Sequence, residues 1–195
     1  MEDCGWLSQD PLYQVYHDDE WGVPVTEDRK LFEMLVLEGM QAGLSWITVL
    51  RKRENFRKAF HNFSPQIVAN FSTPEIDQLL SNPNLIRNRL KIESVVTNAQ
   101  AFVRMQQEWG SFSRYLWSFV DQRPEIHAYT AWKHIPSVSP LSHRLSHDLK
   151  RRGFRFVGPT ICYSYCQATG IVMDHVTTCH RYVELSHPAK ISFPS

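Results

Sequence analysis

The chain has 195 residues, 43% of them hydrophobic, and a formal net charge of +1 from 21 basic and 20 acidic side chains. That length suits a single domain with a sizeable core, and the near-neutral balance excludes a uniformly basic or acidic surface. No apolar stretch approaches the ~18–20 residues of a membrane span. The acidic start, Met1-Glu2-Asp3-Cys4, lacks the basic-then-apolar layout of a signal peptide. Four cysteines without a secretory signal fit a reducing compartment better than a disulfide framework, so the expected location is the cytoplasm.

Taken in chain order, the sequence reads as helix after helix. Asp10-Pro11, Ser64-Pro65, Thr73-Pro74 and Ser139-Pro140 each pair a capping side chain with proline at the first helical position. The first fifty residues are dense in aromatics, with Trp6, Tyr13, Tyr16, Trp21 and Trp46. Leu31, Phe32, Met34, Leu35 and Leu37 describe a largely buried helix. Glu38 ends that apolar run, either as a helix-surface residue or as a partly buried functional acid. The aromatics read either as core or as a pocket that this carboxylate closes; such a pocket suits a flat, electron-poor or cationic ring. Residues 84–108 fit a long amphipathic helix.

Charge is unevenly spread. Residues 1–50 hold ten acids against Arg29 and Lys30, whereas Arg51-Lys52-Arg53-Glu54-Asn55-Phe56-Arg57-Lys58 carries five bases and one acid. Further basic clusters lie at Arg87, Arg89 and Lys91, and at Lys150, Arg151, Arg152 and Arg155. Any one of these reads as a solvated helix face, while three together point to a polyanion held through phosphates. Near the C-terminus, Leu141, Leu145 and Leu149 stripe one helix, and Ile161, Tyr163, Cys166 and Ala168 begin another. Between them Gly153 and Gly158 bracket a short apolar turn. Helix, tight glycine hairpin, helix is the layout of a helix-hairpin-helix element, whose backbone N–H groups hold a phosphate. No alternating run is long enough for a sheet. The expected fold is all-α, a helical bundle.

Cys4 and His17 near the start, with His175 and Cys179 at i, i+4 near the finish, supply two thiolates and two imidazoles. That donor set is the one zinc prefers in closed structural sites, and it would bring the termini together. If the segment is helical, His175 and Cys179 share a face. Spacing alone leaves alternatives open: Cys162 and Cys166 form a second i, i+4 pair, read as small core hydrophobes, and His180 stands beside Cys179.

Several strings closely resemble one family. Cys4-Gly5-Trp6, Asp10-Pro11-Leu12-Tyr13, Tyr16-His17-Asp18 and Glu20-Trp21-Gly22-Val23-Pro24 look like the start of the 3-methyladenine DNA glycosylase I family. Leu31-Phe32-Glu33, Leu37-Glu38-Gly39, Gln41-Ala42-Gly43-Leu44-Ser45-Trp46 and Lys52-Arg53-Glu54-Asn55 continue the match. So do Arg152-Gly153-Phe154, the run from Phe156 to Ser164, and Asp174-His175-Val176. The likeness is collinear to about residue 180, which marks 1–180 as one domain and 181–195 as a variable or disordered tail.

The resemblance implies a base-excision repair enzyme of the helix-hairpin-helix superfamily, releasing 3-methyladenine from alkylated double-stranded DNA. It implies one structural zinc per chain on Cys4, His17, His175 and Cys179. It places the base pocket at Tyr16, Glu38 and Trp46, with Glu38 as the catalytic residue and Trp6, Tyr13 and Trp21 around them. Glu38 is expected to accept hydrogen bonds from the adenine edge and to favour its cationic form. DNA contacts are expected at Gln41, Gly43 and Leu44, which would fill the gap left by the flipped base. Others are expected at Lys150, Arg151, Arg152, Gly153, Gly158, Thr160 and Ser164. The position where bifunctional relatives carry a nucleophilic lysine falls near Thr160, so a monofunctional, monomeric enzyme without strand cleavage is expected. Asp174 is expected to act either in catalysis or as a support for the metal ligands.

Overall fold

Caps and prolines set the helix starts in the computed structural model, which describes residues 4–193. Met1–Asp3, read above for a leader, lie outside the described residues, as do the last two of the tail. Asp10 accepts the Leu12 N–H at 2.9 Å and opens α1 (Pro11–Asp19). Then come α2 (Asp28–Gln41), α3 (Trp46–Ala59) and the single turn α4 (Pro65–Val68). At α5 (Thr73–Ser81) the cap is Ser72 rather than Thr73, because Ser72 and Glu75 form a reciprocal capping box that a cap at Thr73 would forgo. Asn88 caps α6 (Arg89–Trp109), which stops at Gly110 in the left-handed conformation, φ 78°. The rest are α7 (Phe112–Ser118), β1 (Glu125–Ile126), α8 (Pro140–Arg151), α9 (Pro159–Ala168), β2 (Val172–Met173) and α10 (His180–Leu185).

Three sequence expectations need amending. A parallel ladder pairs Glu125 with Val172 and Ile126 with Met173. Two residues per strand leave no alternation for a sequence to display. The residues after β2 are not helical: a turn at Thr177–Thr178 leads into Cys179, which stands at the N-cap of α10. The tail is not structureless as far as Phe193. It begins with α10, the Ile191 N–H bonds the Gln122 carbonyl at 2.8 Å, and Ile191 and Phe193 pack on the core.

Helix α2 is the axis of the bundle, packed against α3, α6, α7 and α9. Every residue from Leu31 to Glu38 is buried, as expected of a helix with neighbours on all sides. Its acids meet the basic cluster of α3. Arg53, 7% exposed, donates to Glu33 at 2.6 Å and to both oxygens of Glu20 at 2.7 and 2.8 Å. Arg57 also reaches Glu33, and Arg51 reaches Asp10. Burial alone would raise the Glu20 carboxyl, but Arg53 and Lys30 overcome it and hold it at about 2. The three arginines of the 51–58 cluster are thus paired with acids of the first fifty residues, Lys52 reaches the Pro83 and Asn84 carbonyls, and Lys58 stays exposed. Removing one partner strands buried charge, so Arg53→Met should cost about 3–5 kcal/mol in urea unfolding. A loss under ~1 kcal/mol would show that solvent, not Arg53, screens Glu33.

Candidate active site and metal centre

Four ligand-type side chains from the two ends of the chain meet in the interior. Cys4, His17, His175 and Cys179 are all buried, and their donor atoms lie within 4.8 Å of one another. Cys4 Sγ is 3.5 Å from His175 Nδ1; Cys179 Sγ is 3.5 Å from the same nitrogen and 3.6 Å from His17 Nε2. A tetrahedral ion with Zn–S of about 2.3 Å and Zn–N of about 2.05 Å would set neighbouring S and N donors roughly 3.5–3.6 Å apart. The cluster therefore fits such an ion. The opposite ring nitrogens are oriented as ligating histidines require: His17 Nδ1 lies 2.7 Å from Asp18 Oδ1, and His175 Nε2 2.9 Å from the Trp21 carbonyl. His180 stays exposed with its ring centroid 6.0 Å from His17, and Cys162 and Cys166 are packed in the core. Neither alternative joins the cluster.

A cavity of about 530 Å³ opens beside this centre. Trp6 is its hub, with ring centroids 5.5 Å from Tyr13, 5.9 Å from Tyr16 and 5.3 Å from Trp21. Trp46 closes the far side, 5.2 Å from Tyr16. Trp21 also meets His175 edge-on at 4.6 Å, so the aromatic wall rests on the ligand cluster.

Glu38 lines the cavity from the last full turn of α2, only 3% exposed. Burial alone pushes its carboxyl up to about 8, so in the empty cavity it is mostly protonated at neutral pH. Its Oε2 has no hydrogen-bond partner, and neither has the Trp46 indole N–H. Among the described residues four buried side-chain polar atoms are orphaned, and two of them line this one cavity. Each such atom costs about 1–3 kcal/mol that a complementary ligand recovers.

The glycine hairpin occupies residues 152–158, between α8 and α9. Gly153 adopts φ 93°, open to glycine and strained for other residues. Over Gly158 a Cβ would meet nothing within 4 Å, leaving space above the N-terminus of α9. Thr160 and Ser164 of α9 reach the cavity, as does Gln41, while Gly43 and Leu44 are exposed beside it. Lys150 and Arg151 are exposed on α8, though Arg151 also contacts Asp148 at 2.7 Å. Arg152 departs from expectation. Its guanidinium is tied to Asp148 and Glu108, each at 2.7 Å, and lies over the Tyr115 ring, so it is committed within the fold.

A family model described as methyladenine glycosylase matches residues 6–182. The chain belongs to that family. It is 52% identical over 182 residues to DNA-3-methyladenine glycosylase 1 of Escherichia coli (strain K12), covering 93% of this chain and 97% of that one. Its identity to a DNA-3-methyladenine glycosylase of Haemophilus influenzae is 44% over 176 residues, covering 90% and 95%. Among solved structures, a variant of 3-methyladenine DNA glycosylase I in complex with 3-methyladenine aligns with a TM-score of 0.90 at 38% identity, covering 92% and 97%.

Sequence reasoning missed one side of the cavity. Trp132 and Lys133 line it from a single 3-10 turn (Trp132–His134), Ile135 to Ser137 from the loop that follows, and Tyr163 and Gln167 from α9. The stretch 132–137 carries no periodicity, and the α9 pair reads as core. Asp174 is fully buried but does not contact His175. It accepts from Tyr163 Oη at 2.6 Å and Gln167 Nε2 at 2.8 Å, and lies 2.7 Å from His127 Nδ1. Through Tyr163 and Gln167 it is tied to the cavity wall.

Burying Glu38 leaves a thermodynamic signature. Between its ordinary value of 4.5 and about 8 the unfolded chain loses this proton while the folded chain keeps it. Stability therefore falls with rising pH across that window and levels off above it, by on the order of 4–5 kcal/mol in all. Glu38→Gln abolishes the slope: in urea unfolding it should match the parent near pH 4.5 and exceed it by several kcal/mol at pH 8.5. Parallel pH profiles would show that the carboxyl is solvated.

Proposed function

We propose that the protein is a monofunctional, monomeric DNA glycosylase that flips out 3-methyladenine from alkylated double-stranded DNA and releases it by hydrolysis. The observation that carries this reading is the pair of partnerless groups, Glu38 Oε2 and Trp46 N–H, on an aromatic cavity. Methylation at N3 already places positive charge on the ring and makes it a good leaving group, so the base needs no protonation. The work is selection: extruding the nucleotide costs a few kcal/mol, and stacking returns about 1–3 kcal/mol per base.

The adenine edge offers a donor, the exocyclic amine, beside the acceptor N7. A protonated Glu38 matches both, donating its O–H to the ring nitrogen and accepting from the amine. This modifies the expectation of charge pairing with a cationic base, because a neutral carboxyl recognises the edge by pattern. Tyr16 and Trp46 hold the faces, with Trp6, Tyr13 and Trp21 behind them. The loop of Gln41, Gly43 and Leu44 fills the vacated stack. Backbone N–H groups at Gly153, Gly158 and Thr160, with Lys150 and Arg151, hold phosphates, and Ser164 supports the backbone nearby. The sole lysine of the cavity lining is the exposed Lys133, and Thr160 has no amine. Chromatography of alkylated DNA digests should show 3-methyladenine release by the parent and a loss of at least tenfold in Glu38→Ala. Borohydride should trap no covalent adduct. Retained activity in Glu38→Ala would sink the assignment, and a trapped adduct would sink monofunctionality.

The ligand cluster we assign to one structural zinc per chain. Four protein ligands leave no open position, so the ion would contribute folding free energy and no step of the reaction. Cys4 and His17 then anchor the arm that carries Trp6, Tyr13 and Tyr16. Metal analysis should give one zinc per chain. Cys179→Ala should lose it and lower Tm by roughly 10 °C, what ~4 kcal/mol corresponds to at this size. Full zinc content in that variant would overturn the ligand set.

A further inference from the structure

Lys91 belongs to a basic cluster that phosphate binding does not absorb. It lies in the first turn of α6 and is 6% exposed. Its Nζ donates to the Met40 carbonyl at 2.9 Å and the Ala42 carbonyl at 2.5 Å. Those carbonyls are the C-terminus of α2, between Glu38 and the exposed Gly43-Leu44. The placement is electrostatically specific. A cation in the first turn of α6 is disfavoured by that helix's own dipole, whereas the carbonyl end of α2 attracts it. Helix α2 has no basic residue in its last turn to do this locally. The backbone of Lys91 is fixed in turn: its N–H bonds the Asn88 cap at 3.1 Å, and Ser94 Oγ bonds its carbonyl at 2.6 Å.

We infer that Lys91 is a positioning residue for the reaction: its ammonium clamps the end of α2 and thereby holds the Gln41–Leu44 loop at the height needed to fill the DNA stack. The inference rests on the assignment of that loop above. The loop has little else to set its start. Ala42 leaves helical geometry at ψ 115°, Gly43 turns at φ 76°, and the Leu44 N–H returns to the Gln41 carbonyl at 2.7 Å. Without the ammonium, the Met40 and Ala42 carbonyls lose a shared donor and the turn can fray. A displacement of ~1 Å far from the chemistry can cost on the order of 100-fold in rate.

The test compares Lys91→Met with the parent by two readouts. Single-turnover release of 3-methyladenine from methylated DNA should fall roughly ten- to hundredfold. Binding of free 3-methyladenine, read by tryptophan fluorescence, should change less than about threefold, because Glu38, Tyr16 and Trp46 make the base site and only Gln41 of the loop reaches it. Combined with Leu44→Ala, the losses should be strongly sub-additive, since both act through the loop. Lys91→Arg should recover part of the rate. Should Lys91→Met not fold, Lys91→Gln, which keeps a neutral donor, carries the same comparison. Unchanged excision, parallel loss of free-base binding, or fully additive losses with Leu44→Ala would each overturn the inference. If the parent itself releases no 3-methyladenine, the functional reading fails instead.

Discussion

The convergence of Cys4, His17, His175 and Cys179 is the constraint on which the cavity depends. It joins the arm before α2 to the turn after β2. The cost of closing so long a loop grows only slowly with its length. The gain is local: Trp21 offers its carbonyl to His175 and its ring edge to the same imidazole, while Trp6 packs on His17, Trp21, Tyr13 and Tyr16. The aromatic wall is a second layer laid on the ligand cluster. Distortion of the cluster is therefore felt at the base-binding surface, even though no ligand side chain lines the cavity.

The opposite wall follows a different logic. Because α2 is buried all round from Leu31 to Glu38, any polar residue in that stretch must find a partner or stay neutral. Glu33 finds Arg53. Glu38 finds no cation, and burial holds its proton up to about 8. A fold selected for stability alone would place an apolar residue there. Retaining the acid leaves the empty cavity with unpaired groups whose best partner is a flat ring bearing a donor beside an acceptor.

How much of this was legible depends on what each residue answers to. Residue type and spacing offered Cys4, His17, His175 and Cys179 but left Cys162, Cys166 and His180 open, and the family resemblance made the choice among them. The route of the four ligand residues to one another could not be read, since His175 and Cys179 meet across a turn that carries no periodicity. The 51–58 bases misled because sequence displays charge but not its partner. Yet the ten acids of the first fifty residues were the matching half, and Glu20 and Glu33 are where Arg53 went. Lys91 was opaque for a related reason: its partners are carbonyls, which every residue has. Trp132 to Ser137 enter the cavity from a stretch without motif or period.

The walls meet at α9. Its N-terminus follows the glycine hairpin, Thr160 and Ser164 face the cavity, and Tyr163 and Gln167 are tied to buried Asp174, next in sequence to His175. One helix thus connects the glycine hairpin, the aromatic cavity and, through Asp174, the stretch that carries His175. With the leaving group already activated by methylation, catalysis needs little from side-chain acid–base chemistry. What it does need is that a gripped backbone, a filled stack and an occupied cavity coincide in space. The fold meets that need with short, fully buried connections: α9 to Asp174, Trp21 to His175, and α2 to Lys91. Each connection holds a wall of the cavity, or the turn beside it, in place from inside the fold.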